Sequence, residues 1–425
     1  MTVVITGDRI TAVGKSGEVG VPEGARVVDG KGKYLIPGLW DMHVHTVSSS
    51  FLPLYLANGV TGVRDMHAMD PDAIFGLRKQ VREGKQPGPR AVEAGPLVDG
   101  PKPLVPGSLV VANAAEGREV VRKLKKMGAD FVKVYTKLPR EAYLAIVDEA
   151  KKQGLPLAGH LPESVSAAEA SDLGQKSIEH LTGVVLACSD KDDELHREEI
   201  EALAKVDNQA AMELLGRISA RAADSFSDRK ARALYDRFVR NHTWQVPTLT
   251  VLHSLVSLDD EKFTADPRVK YMPPSVRSYW PLMKLSLETA AMLKGTYKRA
   301  TGLVRAMHQA GVPFLAGTDT PGVPYVFPGF SLHDELALLV AEGGFTSLEA
   351  LQAATRDPAR FLGREKDLGT IEPGKLADLV LLDADPLADI HNTTKIAAVV
   401  ANGRLLPRRE LVRMLAEVEA ANKKK

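Results

Sequence analysis

The chain has 425 residues, of which 44% are hydrophobic, and its 55 basic and 54 acidic residues leave a formal net charge of +1. This composition is typical of a globular protein with a large core, and it gives no reason to expect nucleic acid or an anionic membrane as a partner. Cys188 is the single cysteine, which excludes an intrachain disulfide framework and a thiolate metal cluster.

Both ends of the chain carry short β-type runs. Near the N-terminus these are residues 2–6, 9–13 and 25–29, separated by glycine-containing turns, and the later runs are residues 377–382 and 396–400. We therefore expect one small β-sandwich assembled from both ends, residues 1–36 plus 376–408. Residues 409–425 are predicted to form an amphipathic C-terminal helix that ends in a lysine tail.

The segments between the two ends alternate between apolar runs and helix-like stretches, which is the pattern of βα units around a parallel sheet. Residues 37–375 are therefore predicted to form a (β/α)8 TIM-type barrel, of the α/β class. Its last two connections are long and carry residues 190–240 and 259–281, which are either functional covers or peripheral packing. The eight candidate strands are residues 39–45, 60–66, 90–94, 131–136, 155–161, 177–181, 244–249 and 314–319.

No candidate membrane segment is present in the sequence. No apolar run approaches the roughly 20 residues that cross a bilayer, and the N-terminus lacks the pattern of a signal peptide. We expect a soluble protein that is cytoplasmic by default, with the mature form of an exported protein as the alternative.

Metal-competent side chains lie late in several of the predicted strands. His43 and His45, called the histidine pair below, are separated by one residue, so on a strand both point the same way and can bind one metal ion. Two polar residues on the wet face of an edge strand are the alternative. Barrel enzymes place their chemistry at the carboxyl ends of the strands, so we expect a metal centre there. The residues at corresponding positions of later strands are Lys133, His160, His180 and Asp319.

Two motifs carry a family resemblance. Residues 34–45 read Tyr-Leu-Ile-Pro-Gly-Leu-Trp-Asp-Met-His-Val-His, and residues 369–380 read Gly-Thr-Ile-Glu-Pro-Gly-Lys-Leu-Ala-Asp-Leu-Val. With these motifs nearly the whole chain resembles the amidohydrolase superfamily, and within it the imidazolonepropionase-like prolidases and N-acyl amino acid amidohydrolases with a carboxylated lysine. The resemblance implies a barrel with a β-sandwich made from both chain ends, in agreement with the strand pattern.

The resemblance also implies a centre with two divalent metal ions. The histidine pair and Asp319 would hold the more buried ion, and His160 and His180 the more exposed one. Lys133 would bridge both as a carbamate formed with carbon dioxide, because a lysine ammonium cannot ligate a cation. An ion-paired lysine is the alternative. With nitrogen and oxygen donors and no sulfur, zinc is the expected metal, while manganese and cobalt fit the same ligands.

This centre would make hydrolysis possible at neutral pH. A hydroxide that bridges two divalent ions is available because the ions lower the pKa of bound water. Asp319 would take a proton and pass it to the leaving amide nitrogen, first as general base and then as general acid. The alternative role of Asp319 is the N-cap of a helix that begins after it.

The expected function is hydrolysis of the amide bond of a dipeptide, Xaa-Pro-like, or of an N-acyl amino acid. An aromatic amide of the mycotoxin type, such as ochratoxin, or a cyclic amide is the alternative substrate for the same centre. A catalytically silent metal-binding or scaffold protein is the other class. Barrel loops vary independently of the metal ligands, so the sequence does not fix the substrate.

Two residues are candidate substrate contacts. His67 follows the second strand, where family members carry small or glycine-rich residues, and it is either a substrate contact or a surface histidine. Tyr135 comes two residues after Lys133 and shares its strand face. It either offers a hydroxyl to the substrate or packs within the barrel.

The chain departs from the family pattern at its start. Members commonly begin with an additional strand before the segment that here starts at Met1, so the sandwich is expected to lack its first strand. Either the start is a clipped, mature or engineered end, or a second copy covers the exposed edge in a homo-oligomer. The sequence leaves these alternatives open.

Overall fold

The computed structural model describes residues 1–46, 48–203, 208–283 and 287–423. The strands are β1 (Thr2–Thr6), β2 (Arg9–Gly14), β3 (Tyr34–Pro37), β4 (Leu39–Val44), β5 (Val60–Asp65), β6 (Arg90–Glu93), β7 (Val98–Asp99), β8 (Leu109–Val110), β9 (Val132–Val134), β10 (Leu157–Gly159), β11 (Ser177–Glu179), β12 (Trp244–Val246), β13 (Leu379–Leu382), β14 (Ile396–Ala401) and β15 (Arg404–Pro407). The helices are α1 (Leu52–Ala57), α2 (Pro71–Arg82), α3 (Ala114–Met127), α4 (Arg140–Gln153), α5 (Ala167–Leu173), α6 (Val184–Ala187), α7 (Asp192–Leu203), α8 (Asn208–Asp224), α9 (Asp228–Asn241), α10 (Leu249–Val256), α11 (Glu261–Thr264), α12 (Pro274–Arg277), α13 (Leu287–Gln309), α14 (Phe330–Ala341), α15 (Ser347–Ala353), α16 (Arg356–Leu362) and α17 (Arg408–Lys423).

The barrel is built from parallel strands, as predicted. One group pairs in the order β4, β5, β6, and another in the order β9, β10, β11, β12. In the second group Ala158 lies opposite both Lys133 and Ser177. The backbone N–H of Asp130 donates to the carbonyl of Glu93 at 2.8 Å, which joins the two groups. Side chains at the carboxyl ends of these strands therefore meet at one end of the barrel.

The predicted eighth strand, which ends at Asp319, is not a regular strand, yet its backbone closes the ring. On one side the N–H of Leu315 donates to the carbonyl of Gln245 at 3.0 Å. On the other side the carbonyl of Ala316 accepts from the N–H of Met42 at 2.9 Å. Asp319 has a φ of +60°, which departs from extended backbone and ends the pairing. The chain therefore has the predicted (β/α)8 architecture with one irregular strand.

The two chain ends together form the small β-sandwich. β3, β13, β14 and β15 make an antiparallel sheet, and the β1–β2 hairpin is joined to it where the N–H of Ile10 donates to the carbonyl of Lys375 at 2.8 Å. Ile10 and Leu379 are buried between these layers, with Val400 packed against them. The opposite face of the sheet packs against α1 and α17. Every residue of β13 and β14 is apolar, and successive side chains point to opposite faces, so both faces of the sheet are covered.

The interpretation of residues 25–29 as a strand is wrong. This segment pairs with no strand among the described residues, and Val27 and Val28 remain 77% and 47% exposed. Its two valines stand between glycine-containing turns and line an open groove on the sandwich, so little burial stabilises an extended conformation there. The strand that pairs with β13 at this edge of the sheet is β3, a few residues later.

The two long connections are mostly helical. α7, α8 and α9 fill the first, in which Leu195, Ile218 and Ala222 form a small buried core. The second contains α11 and α12 before the long helix α13. The predicted C-terminal helix is α17, and the last two residues of its lysine tail lie outside the described residues. Among the described helices, none combines the length and apolarity that a membrane span requires.

Candidate metal centre

The four histidines predicted as ligands converge at the carboxyl ends of β4, β10 and β11. The ring centroids of His43 and His45 are 5.4 Å apart, and those of His43 and His180 are 4.6 Å apart. His160 continues the group, with its ring 4.9 Å from that of His180. Residues separated by up to 137 positions in the sequence thus form one continuous imidazole cluster.

Asp319 lies against the histidine pair. Its Oδ1 atom is 2.8 Å from Nε2 of His45 and 3.2 Å from Nε2 of His43. The donor atoms of these three residues lie within 4.8 Å of one another. Two imidazole nitrogens and a carboxylate oxygen at this spacing are a donor set that suits a divalent transition metal.

The hydrogen bonding of His43 supports a metal ion at this position. Nδ1 of His43 lies 2.8 Å from Oε2 of Glu179. A carboxylate only accepts, so Nδ1 carries the proton and Nε2 carries a lone pair. That Nε2 atom is buried and makes no hydrogen bond within the described chain. In the neutral ring this lone pair faces the Asp319 oxygen, and a bound cation would stabilise the two electron-rich atoms.

His160 and His180 are oriented by threonine hydroxyls. Oγ1 of Thr248 donates to the carbonyl of Pro247, so it accepts from Nδ1–H of His180 at 2.7 Å. Oγ1 of Thr136 lies 3.1 Å from Nδ1 of His160. Burial lowers the pKa of His180 to about 3 and holds the pKa of His160 well below its usual range. Both rings are therefore neutral, which a metal ligand has to be.

Lys133 is inside the barrel, with 1% of its surface exposed. Burial lowers its pKa to about 8, against the opposing charges of Glu179 and Asp319. Gly159 leaves the room for its side chain, because a Cβ there would lie 2.9 Å from Cδ of Lys133 and 2.2 Å from a backbone carbonyl. The φ of Gly159 is +134°, which other residues rarely adopt.

The backbone that carries the candidate ligands has positive φ angles at two positions and is hydrogen-bonded to a buried carboxylate. His180 and Asp319 both have positive φ, +57° and +60°. Such conformations cost about 1 kcal/mol or more each for a residue other than glycine, and they cluster at functional sites. The buried carboxylate of Asp41 accepts from the N–H and the hydroxyl of Thr318, at 3.0 and 2.7 Å, and from the N–H of His43 at 3.3 Å. Asp41 thus joins the segment that carries His43 to the segment that carries Asp319, so the two candidate ligands face each other.

His67, the first predicted substrate contact, is buried beside the histidine pair, with its ring 6.4 Å from that of His45. Its Nδ1 accepts from the N–H of Leu97 at 3.2 Å, and its Nε2 donates to the carbonyl of Pro106 at 3.0 Å. Both ring nitrogens are therefore hydrogen-bonded to backbone groups, one just before β7 and one between β7 and β8. Burial lowers the pKa of His67 to about 4, so the ring stays neutral. A substrate contact at His67 stays a prediction.

Tyr135 is half-buried beside the cluster. Its ring stacks on the ring of His160, with the centroids 3.9 Å apart and an interplanar angle of 27°. The ammonium of Lys133 lies 5.7 Å from the same ring. Tyr135 therefore covers one face of a candidate ligand.

The residues that support the candidate ligands were not predicted from the sequence: Asp41, Arg64, Thr136, Glu179 and Thr248. Two of them carried a signal in the sequence. Asp41 shares the face of a strand with the histidine pair two and four residues later. Arg64 is a charged residue within a predicted barrel strand, a position that is rarely buried without a partner. The threonines carried none, because threonine is common in barrel strands and turns.

The chain is similar to known proteins over nearly its whole length. The profile of the Amidohydrolase family matches residues 34–196 and 268–406. Imidazolonepropionase from Rubrobacter xylanophilus is 28% identical over 443 aligned positions, which cover 96% of this chain and 91% of that protein. A Bifidobacterium longum structure described as a candidate prolidase has a TM-score of 0.70 and 25% identity, over 98% of this chain and 93% of that one. Bottromycin amidohydrolase shares the fold, with a TM-score of 0.74 at 23% identity over 99% and 85% of the two chains.

Proposed function

We propose a reaction and a metal centre for this chain, which belongs to the amidohydrolase family and is a hydrolase of C–N bonds. The proposed reaction is hydrolysis of the amide bond of a dipeptide of the Xaa-Pro type or of an N-acyl amino acid. The observation that carries it is the convergence of four imidazoles, one carboxylate and one buried lysine at a single end of the barrel. The similarity to a candidate prolidase supports the substrate class.

The residues present fit two divalent ions, for which zinc suits the nitrogen and oxygen donors. His43, His45 and Asp319 would hold one ion. His160 and His180 would hold the other. The neutral state of the buried His160 and His180 rings, and the buried Nε2 of His43 that faces Oδ1 of Asp319 at 3.2 Å, are the features that support this assignment.

Lys133 is proposed to link the two ions as a carbamate. A buried amine with a pKa of about 8 is partly neutral near pH 7, and the neutral amine adds to carbon dioxide with loss of a proton. The product carries one negative charge and two oxygen donors. Asp319 and the carbamate together would then oppose the positive charge of two divalent ions inside the barrel.

The chemistry divides between the ions and the protein. When bound, the ions lower the pKa of water and polarise the scissile carbonyl, so that a nucleophile is present at neutral pH. Asp319 accepts the proton of the attacking water and transfers it to the amide nitrogen, which leaves only when protonated. Despite burial, the neighbouring histidines hold the pKa of Asp319 well below its usual range, so its side chain is a carboxylate. Tyr135, beside His160, is the proposed contact for the substrate.

A kinetic panel tests the substrate class. The protein is loaded with zinc in bicarbonate buffer and assayed on Xaa-Pro dipeptides, N-acyl amino acids, aryl amides of the ochratoxin type and cyclic amides. We expect the highest kcat/KM in the first two groups and complete loss of activity with a chelator. Preference for aryl or cyclic amides would contradict the proposed substrate. Absence of hydrolysis in every group by the metal-loaded protein would contradict the proposed function.

A further inference from the structure

We infer that Glu179, held in place by Arg64 and Ser177, is a positioning residue that fixes the ring orientation and tautomer of His43. This inference rests on the proposed function, because it takes His43 to be a metal ligand. It concerns residues inside the barrel that touch no substrate. Glu179 immediately precedes His180 in the sequence, yet its carboxylate contacts a histidine from a different strand.

The first step is the contact between Glu179 and His43. Both side chains are buried, and Oε2 of Glu179 lies 2.8 Å from Nδ1 of His43. Because the carboxylate accepts only, the imidazole has to present its unprotonated Nε2 to the metal position. An imidazole that donates its second nitrogen to a carboxylate is also a better electron donor to a metal ion.

The second step is the way in which Glu179 is held. Nη2 of Arg64 donates to its two oxygens at 2.9 and 3.0 Å, and Oγ of Ser177 donates to Oε1 at 2.5 Å. These three hydrogen bonds from two buried side chains hold the carboxylate in a single orientation.

The third step is that Arg64 contacts both the strand of His43 and the strand of Glu179. Its Nε donates to the carbonyl of Met42 at 2.6 Å, one residue before His43, and its Nη1 donates to Ser177 at 3.0 Å. Arg64 lies on β5, whereas Ser177 and Glu179 lie on β11, which is not a neighbouring strand. One guanidinium thus ties the backbone beside His43 to the carboxylate that orients its ring.

Aromatic rings flank the guanidinium of this ion pair. Arg64 is fully buried, and the rings of Phe131 and Phe361 lie 5.6 and 4.9 Å from its guanidinium carbon. A buried ion pair gives little net stability compared with apolar residues of similar size. The apolar shell therefore favours a role for the pair in placing His43 rather than in stabilising the barrel.

The tautomer is measured on the metal-free protein by ¹⁵N NMR of labelled histidine, with the His43 signals identified by their loss in His43→Asn. We expect wild-type His43 to carry its proton on Nδ1, and Glu179→Ala to move it to Nε2. A Glu179→Ala protein that keeps the wild-type tautomer would overturn the inference. This readout needs no metal, so it tests the inference even if the wild-type protein binds no metal. Failure of the wild-type protein to bind metal would refute the proposed function and not the tautomer assignment.

Metal affinity gives the second readout, measured by competition with a chromophoric chelator. Replacing a carboxylate that orients a ligand weakens metal binding about 10- to 100-fold, and we expect this for one ion in Glu179→Ala. Unchanged affinity in the folded variant would contradict the inference. If Glu179→Ala does not fold, Glu179→Gln takes its place, with a smaller loss in the same direction because its amide oxygen still accepts.

Arg64→Met and Arg90→Met make a matched comparison. Arg90 also forms an ion pair, with Nε 2.5 Å from Oδ2 of Asp378, and Asp378 accepts from the N–H of Asn402 in the β-sandwich. Arg64→Met should weaken metal binding and alter the His43 tautomer. Arg90→Met should lower the free energy of unfolding without either effect. Equal effects of the two variants on metal affinity would show that Arg64 acts only through stability, against the inference.

Discussion

The two halves of the candidate metal centre are built with different supporting groups. In the paired half, which comprises His43, His45 and Asp319, the ring of His43 is oriented by a buried carboxylate that is itself ion-paired. In the threonine half, which comprises His160 and His180, the rings contact neutral hydroxyls. The Glu179 carboxylate and the Thr248 hydroxyl each select a tautomer, but only the carboxylate adds negative charge behind the ring. We therefore expect the paired half to bind its ion more tightly.

The largest expected effect comes from Asp319, the residue of the paired half that also moves the proton. Asp319→Asn keeps the size of the side chain but removes its charge and its basicity. We expect kcat to fall about 10³-fold or more, because general acid–base catalysis alone contributes about 10²- to 10⁴-fold. Steady-state kinetics on the best substrate of the panel measures this. Asp172→Asn, an exposed aspartate on α5, is the control and should retain wild-type kcat.

Lys133 tests whether the two halves form one centre. Lys133→Met fills a similar volume without a group that can add carbon dioxide. We expect the metal content to fall to about one ion per chain, with the remaining ion in the paired half, because the charge that holds two cations together is gone. Elemental analysis of the dialysed protein measures the content, and Lys137→Met serves as the matched control. Two tightly bound ions in Lys133→Met would show that the lysine is not part of the centre.

The pH dependence of stability should have opposite signs in the two halves of the metal-free protein. Burial lowers the pKa of His180 to about 3, so between pH 6.5 and 3 the unfolded state binds more protons and stability falls as pH falls. For His45 the hydrogen bond and charge of Asp319 outweigh burial and raise the pKa, so its contribution is present below pH 6.5 and is lost as pH rises through the folded-state pKa.

Urea unfolding of His180→Asn and His45→Asn, each compared with wild type from pH 4 to pH 8, checks these signs. We expect each variant to remove its residue's share of the pH-dependent free energy of unfolding, which for His180→Asn is about 1 to 3 kcal/mol. In His180→Asn the free energy of unfolding should depend less on pH below pH 6.5. In His45→Asn it should depend less on pH above pH 6.5. Identical pH profiles for the two variants would show that the halves are electrostatically equivalent.

The smallest expected effects come from the threonines. Thr136→Val and Thr248→Val remove a hydroxyl while nearly preserving shape. A neutral hydrogen bond contributes about 1 kcal/mol, so we expect about fivefold weaker binding of the ion in the threonine half. Chelator competition measures this beside Glu179→Ala. A loss in the threonine variants as large as that in Glu179→Ala would remove the proposed distinction between the halves.

The sequence predicted the barrel and the grouping of the ligand residues because both follow from local patterns. Apolar runs of strand length locate the strands, and a histidine or aspartate at a strand end is placed with its counterparts by the geometry of the barrel. The irregular eighth strand did not follow from this pattern, because its form depends on the positive φ of Asp319. The β-type pattern at Val27 and Val28 predicts a strand that does not form, because two adjacent apolar residues do not show whether the segment is buried.

The supporting residues could not be predicted because they act between strands that are distant in the sequence. Arg64 and Glu179 are 115 positions apart and meet inside the barrel. His67 was interpreted as a substrate contact from its place after a strand, but its environment is made by the backbone of a loop about 30 to 40 residues later. Such contacts depend on loop conformation, which one sequence does not specify.

Metal content is the most direct test of the central claim that this chain holds a two-ion hydrolytic centre. Protein produced with zinc and bicarbonate present is dialysed and its divalent metal is determined per chain, with hydrolysis followed on the same sample. The account predicts two ions per chain, the first removed by a chelator coming from the threonine half, together with loss of activity. Fewer than one ion per chain, or full activity after complete metal removal, would contradict it.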